Sequence, residues 1–145
     1  MSTREPPPRL SLSRERDWGL QSSRDLGVAE SCFSNGFYEW ACFSAHQAAE
    51  KRLKGLLCRL EIIERDIKGH DLRYVSRFIP SFLVSDVAVL EDHCAYLSDF
   101  AIKARYPDSY PTGCPGSIIT EQTAREAVSA AKAIIAEVEN ITNKL

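Results

Sequence analysis

Between Phe37 and Leu60 the apolar residues Cys42, Ala45, Ala49, Leu53, Leu56 and Leu60 recur every three or four positions. That spacing puts them on one side of an α-helix, whereas a half-buried strand would alternate at every residue. At about 1.5 Å per residue the helix is some 35 Å long, the height of a small bundle. A helix with one apolar stripe draws most of its stability from neighbours that cover the stripe, so the rest of the chain has to supply them.

It does so with helical patterns only. From about Asp17 to Asn35, Trp18, Leu26, Ala29 and Phe33 share a face, with Asp17 as the expected N-cap and Asn35-Gly36 as a left-handed stop. Val87, Leu90, Cys94, Leu97, Ala101 and Ala104 repeat in steps of three and four until Arg105-Tyr106-Pro107 ends the run. Thr120 N-caps a last helix with Glu121 in its first turn and the stripe Ala127, Ala131, Ile134, Val138, Ile141 and Leu145. A short piece opens at Gly69-His70-Asp71, carries Leu72, Val75 and Ile79, and closes at Pro80. The expected fold is all-α, an up-down four-helix bundle with an additional short helix. Residues 17–145 form one domain, and residues 1–16, with Pro6-Pro7-Pro8 and four arginines, read as a disordered N-terminal extension without the apolar core of a signal peptide.

No stretch approaches the roughly 20 apolar residues that span a bilayer. Five cysteines, an odd number without a C-x-x-C pair, favour free thiols in a reducing compartment, and the cytoplasm is the expected location. The net charge of −2 excludes a protein that coats nucleic acid. Partition along the chain is more informative: residues 17–50 carry −4, residues 51–77 carry +4 and residues 78–110 carry −3. The basic stretch is either a face whose cations pair with nearby acids or a site for a nucleotide phosphate or short RNA.

Phosphate-loop, dinucleotide-fold and metalloprotease motifs are lacking, and the pairs Cys42/His46 and His93/Cys94 fall in apolar stripes, so no metal is expected. Two clusters carry possible chemistry. In the first, Arg65 and His70 lie five apart across a turn: an imidazole can take a proton from a ribose 2′-OH while a guanidinium holds the phosphate, although the same pair also suits a helix cap and a surface charge. In the second, Arg105 offers a fork for phosphate, Tyr106 and Tyr110 offer faces for a base, and Asp108 is placed to orient Arg105; a structural helix stop is the alternative. Gln47, Glu50 and Lys54 share one helix face, with Glu50 and Lys54 in the favourable order for an intrahelical pair.

Taken in order, the Gly36-to-Lys51 helix with Gln47-Ala48-Ala49-Glu50-Lys51, then Lys54, Gly69-His70-Asp71-Leu72, Arg105-Tyr106-Pro107-Asp108 and the closing helix behind Thr120 strongly resemble the HEPN domain (higher eukaryotes and prokaryotes nucleotide-binding) over residues 17–145. The resemblance implies a bundle that forms homodimers and binds a nucleotide such as ATP or GTP, with Lys54, His70, Arg105, Tyr106 and Asp108 as contacts and no required cofactor. It also implies partnership with a small nucleotidyltransferase acting in trans, in a toxin–antitoxin-like module. Some HEPN branches are metal-independent ribonucleases with an R-x4-6-H motif, a spacing that Arg65 and His70 satisfy. In those branches the motif lies later in the bundle, nearer Arg105, which here has Tyr110 five residues on. The third reading is an assembly scaffold without ligand chemistry.

Overall fold

The computed structural model describes residues 12–62 and 70–145. Their regular structure is helical throughout, with no strand among them. Helix α1 (Leu12–Ser34) begins five residues ahead of the expected Asp17. Asp17 is therefore not its N-cap but lies inside it and pairs with Arg14 at 3.0 Å, while Glu15 reaches Arg59 of the next helix at 3.3 Å. Leu12 to Arg16 are thus part of α1. The helix stops as its sequence dictates: Gly36 takes φ +82°, and the Gly36 and Phe37 amides donate to the Phe33 and Cys32 carbonyls, a Schellman closure.

Helix α2 (Tyr38–Arg59) runs back antiparallel to α1. Ser22 Oγ donates to the Ala48 carbonyl at 2.6 Å, Lys51 pairs with Asp25, and a Cβ built on Gly55 would stand 3.0 Å from the Cβ of Trp18. The helix ends in a second Schellman closure, in which Glu61 rather than glycine takes the left-handed position at φ +59°. A short helix, α3 (Leu72–Ser76), follows; the Asp71 carboxylate caps it by accepting from the Arg73 and Tyr74 amides.

The run from Val87 to Ala104 is not one helix but two, α4 (Val87–Ser98) and α5 (Phe100–Lys103). Ser98 explains the break. Its hydroxyl donates back to the Cys94 carbonyl at 2.6 Å, a bond that bends helices, and accepts from the Leu72 amide at 3.0 Å, which ties the bend to α3. A 3-10 turn (Pro107–Ser109) and α6 (Pro115–Ile118) shape the following connection, and α7 (Glu121–Asn143) is capped by Thr120 Oγ1 accepting from the Thr123 amide.

Side-chain pairings give the directions. Arg52 to Glu139 sets α7 beside α2, while Ser85 to Glu137 and Tyr96 to Thr123 set α4 antiparallel to α7. Successive long helices therefore alternate in direction around a core of α2 (Cys42, Ala45, Ala49, Leu53, Leu56), α4 (Leu90, Cys94, Leu97) and α7 (Ala127, Ala131, Ile134, Val138, Ile141). Alanines on α2 and α7 let the two backbones approach. Two expected core residues lie outside it: Val87, the first residue of α4, and Leu145, beyond the end of α7, are both exposed. No helix among the described residues is long and apolar enough to cross a membrane.

Candidate functional site

Beside its core stripe α2 carries a second line of residues, Phe43, Gln47, Glu50 and Lys54, with His46 next to it. His46 is fully buried. Its Nε2 lies 2.8 Å from the His70 carbonyl oxygen and must donate to it, so the lone pair sits on Nδ1, where Gln47 Nε2 donates at 3.2 Å. Burial pushes the His46 pKa below the ordinary histidine value against the opposing pull of that backbone bond and of Glu50, and keeps the ring neutral.

Glu50 is only 4% exposed. A buried carboxylate needs partners, and it has two on one oxygen: His70 Nδ1 at 2.7 Å and the Lys54 ammonium at 3.3 Å from Oε1. Gln47 Nε2 is 3.5 Å from the other oxygen. The His70 side chain is by contrast 62% exposed. Its backbone is held by His46 and its ring by Glu50, so an accessible imidazole is fixed at two points by buried groups of α2.

The second cluster lies at the other end of the same stripe. The Arg105 guanidinium sits over the Phe43 ring at 4.5 Å from its centroid and beside the Tyr106 ring at 5.0 Å, and Trp40 packs edge-on against Phe43. Arg105 Nε donates to the Ala101 carbonyl of α5 at 2.7 Å. Trp40 and Tyr106 are each almost half exposed. Tyr110, expected as a second stacking face, donates its hydroxyl to the Lys103 carbonyl at 2.7 Å and closes the helix stop.

The expected residues are thus gathered in part. His70 and Arg105 both dock on α2, on Glu50 and Phe43, seven residues or about 10 Å apart along the helix axis. Lys54 is committed to neutralising Glu50. Among the described residues no ion pair joins Asp108 to Arg105, whose Nε has a backbone partner instead. Arg65 lies outside the described residues. The basic stretch is largely paired: Lys51 with Asp25, Arg52 with Glu139, Arg59 with Glu15 and Arg77 with Glu91. Burial pushes the Cys42 and Cys94 thiols up to about 12, and no group of three or more His, Cys, Asp or Glu able to hold a metal exists among the described residues. A cleft of about 450 Å³ between α1, α2 and α7, lined by Gly19, Arg52, Gly55 and Val138, involves none of the site residues.

The sequence profile of the HEPN domain matches residues 15–141. The chain belongs to the HEPN domain family. Solved structures agree over nearly their full lengths. TT1696 of Thermus thermophilus is 34% identical at a TM-score of 0.81, with 88% of this chain and 98% of that one covered. ST0689, described as an archaeal HEPN homologue, is 34% identical at 0.71, covering 86% and 94%. A HEPN domain protein of Thermotoga maritima is 26% identical at 0.68, covering 89% and 99%. No curated protein matches the chain. Within this HEPN domain, sequence reasoning missed Phe43 and Trp40 as the aromatic seat of Arg105 and His46 as the backbone anchor of His70. The spacing of Phe43, Gln47, Glu50 and Lys54, in steps of four, three and four, was the available signal, since a stripe that mixes an aromatic with an ion pair at helical period marks a face that meets something.

Proposed function

We propose that this HEPN domain is a nucleotide-binding module that works as a homodimer with a nucleotidyltransferase acting in trans, as in toxin–antitoxin-like pairs. The observation that carries the reading is Arg105, a guanidinium held against the rings of Phe43 and Tyr106 that spends its Nε on the Ala101 carbonyl and has no carboxylate partner among the described residues, which suits its terminal fork to phosphate. Tyr106 and Trp40 offer ring faces for a base, His70 is held by Glu50, seven residues or about 10 Å along α2 from Phe43, and Asp108 follows Tyr106 in the 3-10 turn. Lys54 acts from behind by balancing Glu50. A ligand touching both Arg105 and His70 has to be longer than a single phosphate, which suits ATP or GTP. Calorimetric titration with ATP and GTP tests this: saturable binding weakened at least tenfold by Arg105→Ala supports it, and no heat together with an unchanged melting temperature at millimolar nucleotide removes it. Sedimentation of the chain alone and mixed with a candidate nucleotidyltransferase tests the assembly.

The exposed, fixed ring of His70 also favours a second reading, metal-independent cleavage of RNA with His70 as base and Arg105 or Arg65 as phosphate stabiliser. Its test is RNA cleavage in chelator that His70→Ala abolishes; cleavage unaffected by the substitution removes the role.

A further inference from the structure

The chain spends two buried polar side chains of α2, and a third that is partly buried, on one exposed imidazole. Glu50 holds the His70 ring from within the bundle, His46 holds the His70 carbonyl, and Lys54 neutralises the carboxylate. A cap or a surface histidine requires none of these, and burying a carboxylate for it alone would destabilise the fold. The hydrogen bond also has a chemical consequence. A carboxylate only accepts, so the atom facing Glu50 is Nδ1–H, and in the neutral ring the lone pair then lies on Nε2, on the other side of the ring.

We propose that Glu50 is a positioning residue that fixes His70 in this tautomer, so that neutral His70 accepts a hydrogen bond at Nε2 from a ribose hydroxyl while Arg105 takes the phosphate chain. The inference rests on the nucleotide reading above and adds the orientation of the ligand: hydroxyl donor at His70, anion at Arg105. A bare Nε2 lone pair repels a phosphate oxygen and suits an O–H, whereas the guanidinium, a donor only, has the reverse preference. The two residues therefore tell the sugar hydroxyls of a ribonucleotide from its phosphates.

Two measurements on the full chain test this. In the first, nitrogen-15 NMR of histidine-labelled protein without ligand near pH 8 reads the tautomer directly. His70 is expected with a protonated Nδ1 and a bare Nε2, and Glu50→Gln, checked for folding by circular dichroism, is expected to mix the two forms. A wild-type ring protonated on Nε2, or a folded Glu50→Gln that keeps the wild-type tautomer, overturns the positioning role. In the second, ATP is compared with its 2′-deoxy and 3′-deoxy forms by titration. Loss of the hydroxyl that His70 accepts should weaken binding about three- to tenfold in the wild type and have no effect in His70→Ala. Equal affinities for all three in the wild type overturn the ligand orientation. If no nucleotide binds, the nucleotide reading falls and the tautomer still decides on Glu50. If Glu50→Gln does not fold, the wild-type tautomer and the deoxy series decide without it.

Discussion

His46 is neutral because it is buried, and its effect on stability therefore depends on pH. In the unfolded chain an imidazole titrates near 6.5, whereas in the fold its pKa is lower. Below about pH 6.5 the unfolded state takes up a proton that the folded state refuses, so stability falls with falling pH; above it the contribution is constant. Urea midpoints should drop between pH 7.5 and pH 5.5, and the drop should shrink in His46→Gln; an equal drop in both would assign it to other groups. At Glu61 the strain is in the backbone, since a non-glycine residue holds the left-handed position that ends α2. Glu61→Gly should stabilise the protein by about 0.5–1 kcal/mol in chemical unfolding. Some of this scale was legible in the sequence. The Glu50 and Lys54 pair follows from their spacing, but what makes it a site is His70, brought to it from twenty residues away by a chain path that periodicity does not describe. Arg105 was legible as a fork; its orientation was not, because Asp108 adjoins it in sequence while Phe43 and the Ala101 carbonyl adjoin it in space.

Among the elements, two helical glycines separate intrinsic propensity from packing. Gly27 lies on the exposed face of α1 with nothing within 4 Å of an added Cβ, and Gly55 lies against the backbone of α1, with the Trp18 Cβ at 3.0 Å and the Glu15 carbonyl oxygen at 3.4 Å. Gly27→Ala should raise stability by about 0.5–1 kcal/mol, the helix-propensity gain. In Gly55→Ala that gain is outweighed by overpacking of about 1–3 kcal/mol, so the melting temperature should fall. Ser98→Ala should cost about 1–3 kcal/mol, because the Leu72 amide loses its acceptor. The ends of α2 and α7 and the stop at Gly36 could be read locally, from glycine, threonine and spacing. The division between α4 and α5 could not, since the periodicity runs through it and only the tie from Ser98 to α3 reveals it. The early start of α1 was hidden similarly: Asp17 is a good cap by composition, but the contact of Glu15 with Arg59 extends the helix past it.

For the whole molecule the alternation of positive and negative segments acts mainly as internal fastening. Lys51 and Arg59 join α2 to α1, and Arg52 joins it to α7. Of the described cations in residues 51–77, all but Arg73 are paired with a carboxylate, which sets the expected salt response of that face. If a short RNA binds through two phosphates, log affinity against log salt should have a slope of about −1.4, and a slope of about −4 or steeper would mean that the paired face opens. Helix α2 is buried on one side in the core and on another holds His46, Glu50 and Lys54. A one-residue insertion within it would rotate everything downstream by about 100° and unseat both sets together. The connection beyond Tyr110, residues 111–118, can therefore be lengthened and rewritten, whereas α2 is a block of fixed length, in which a change of ligand preference has to come by substitution.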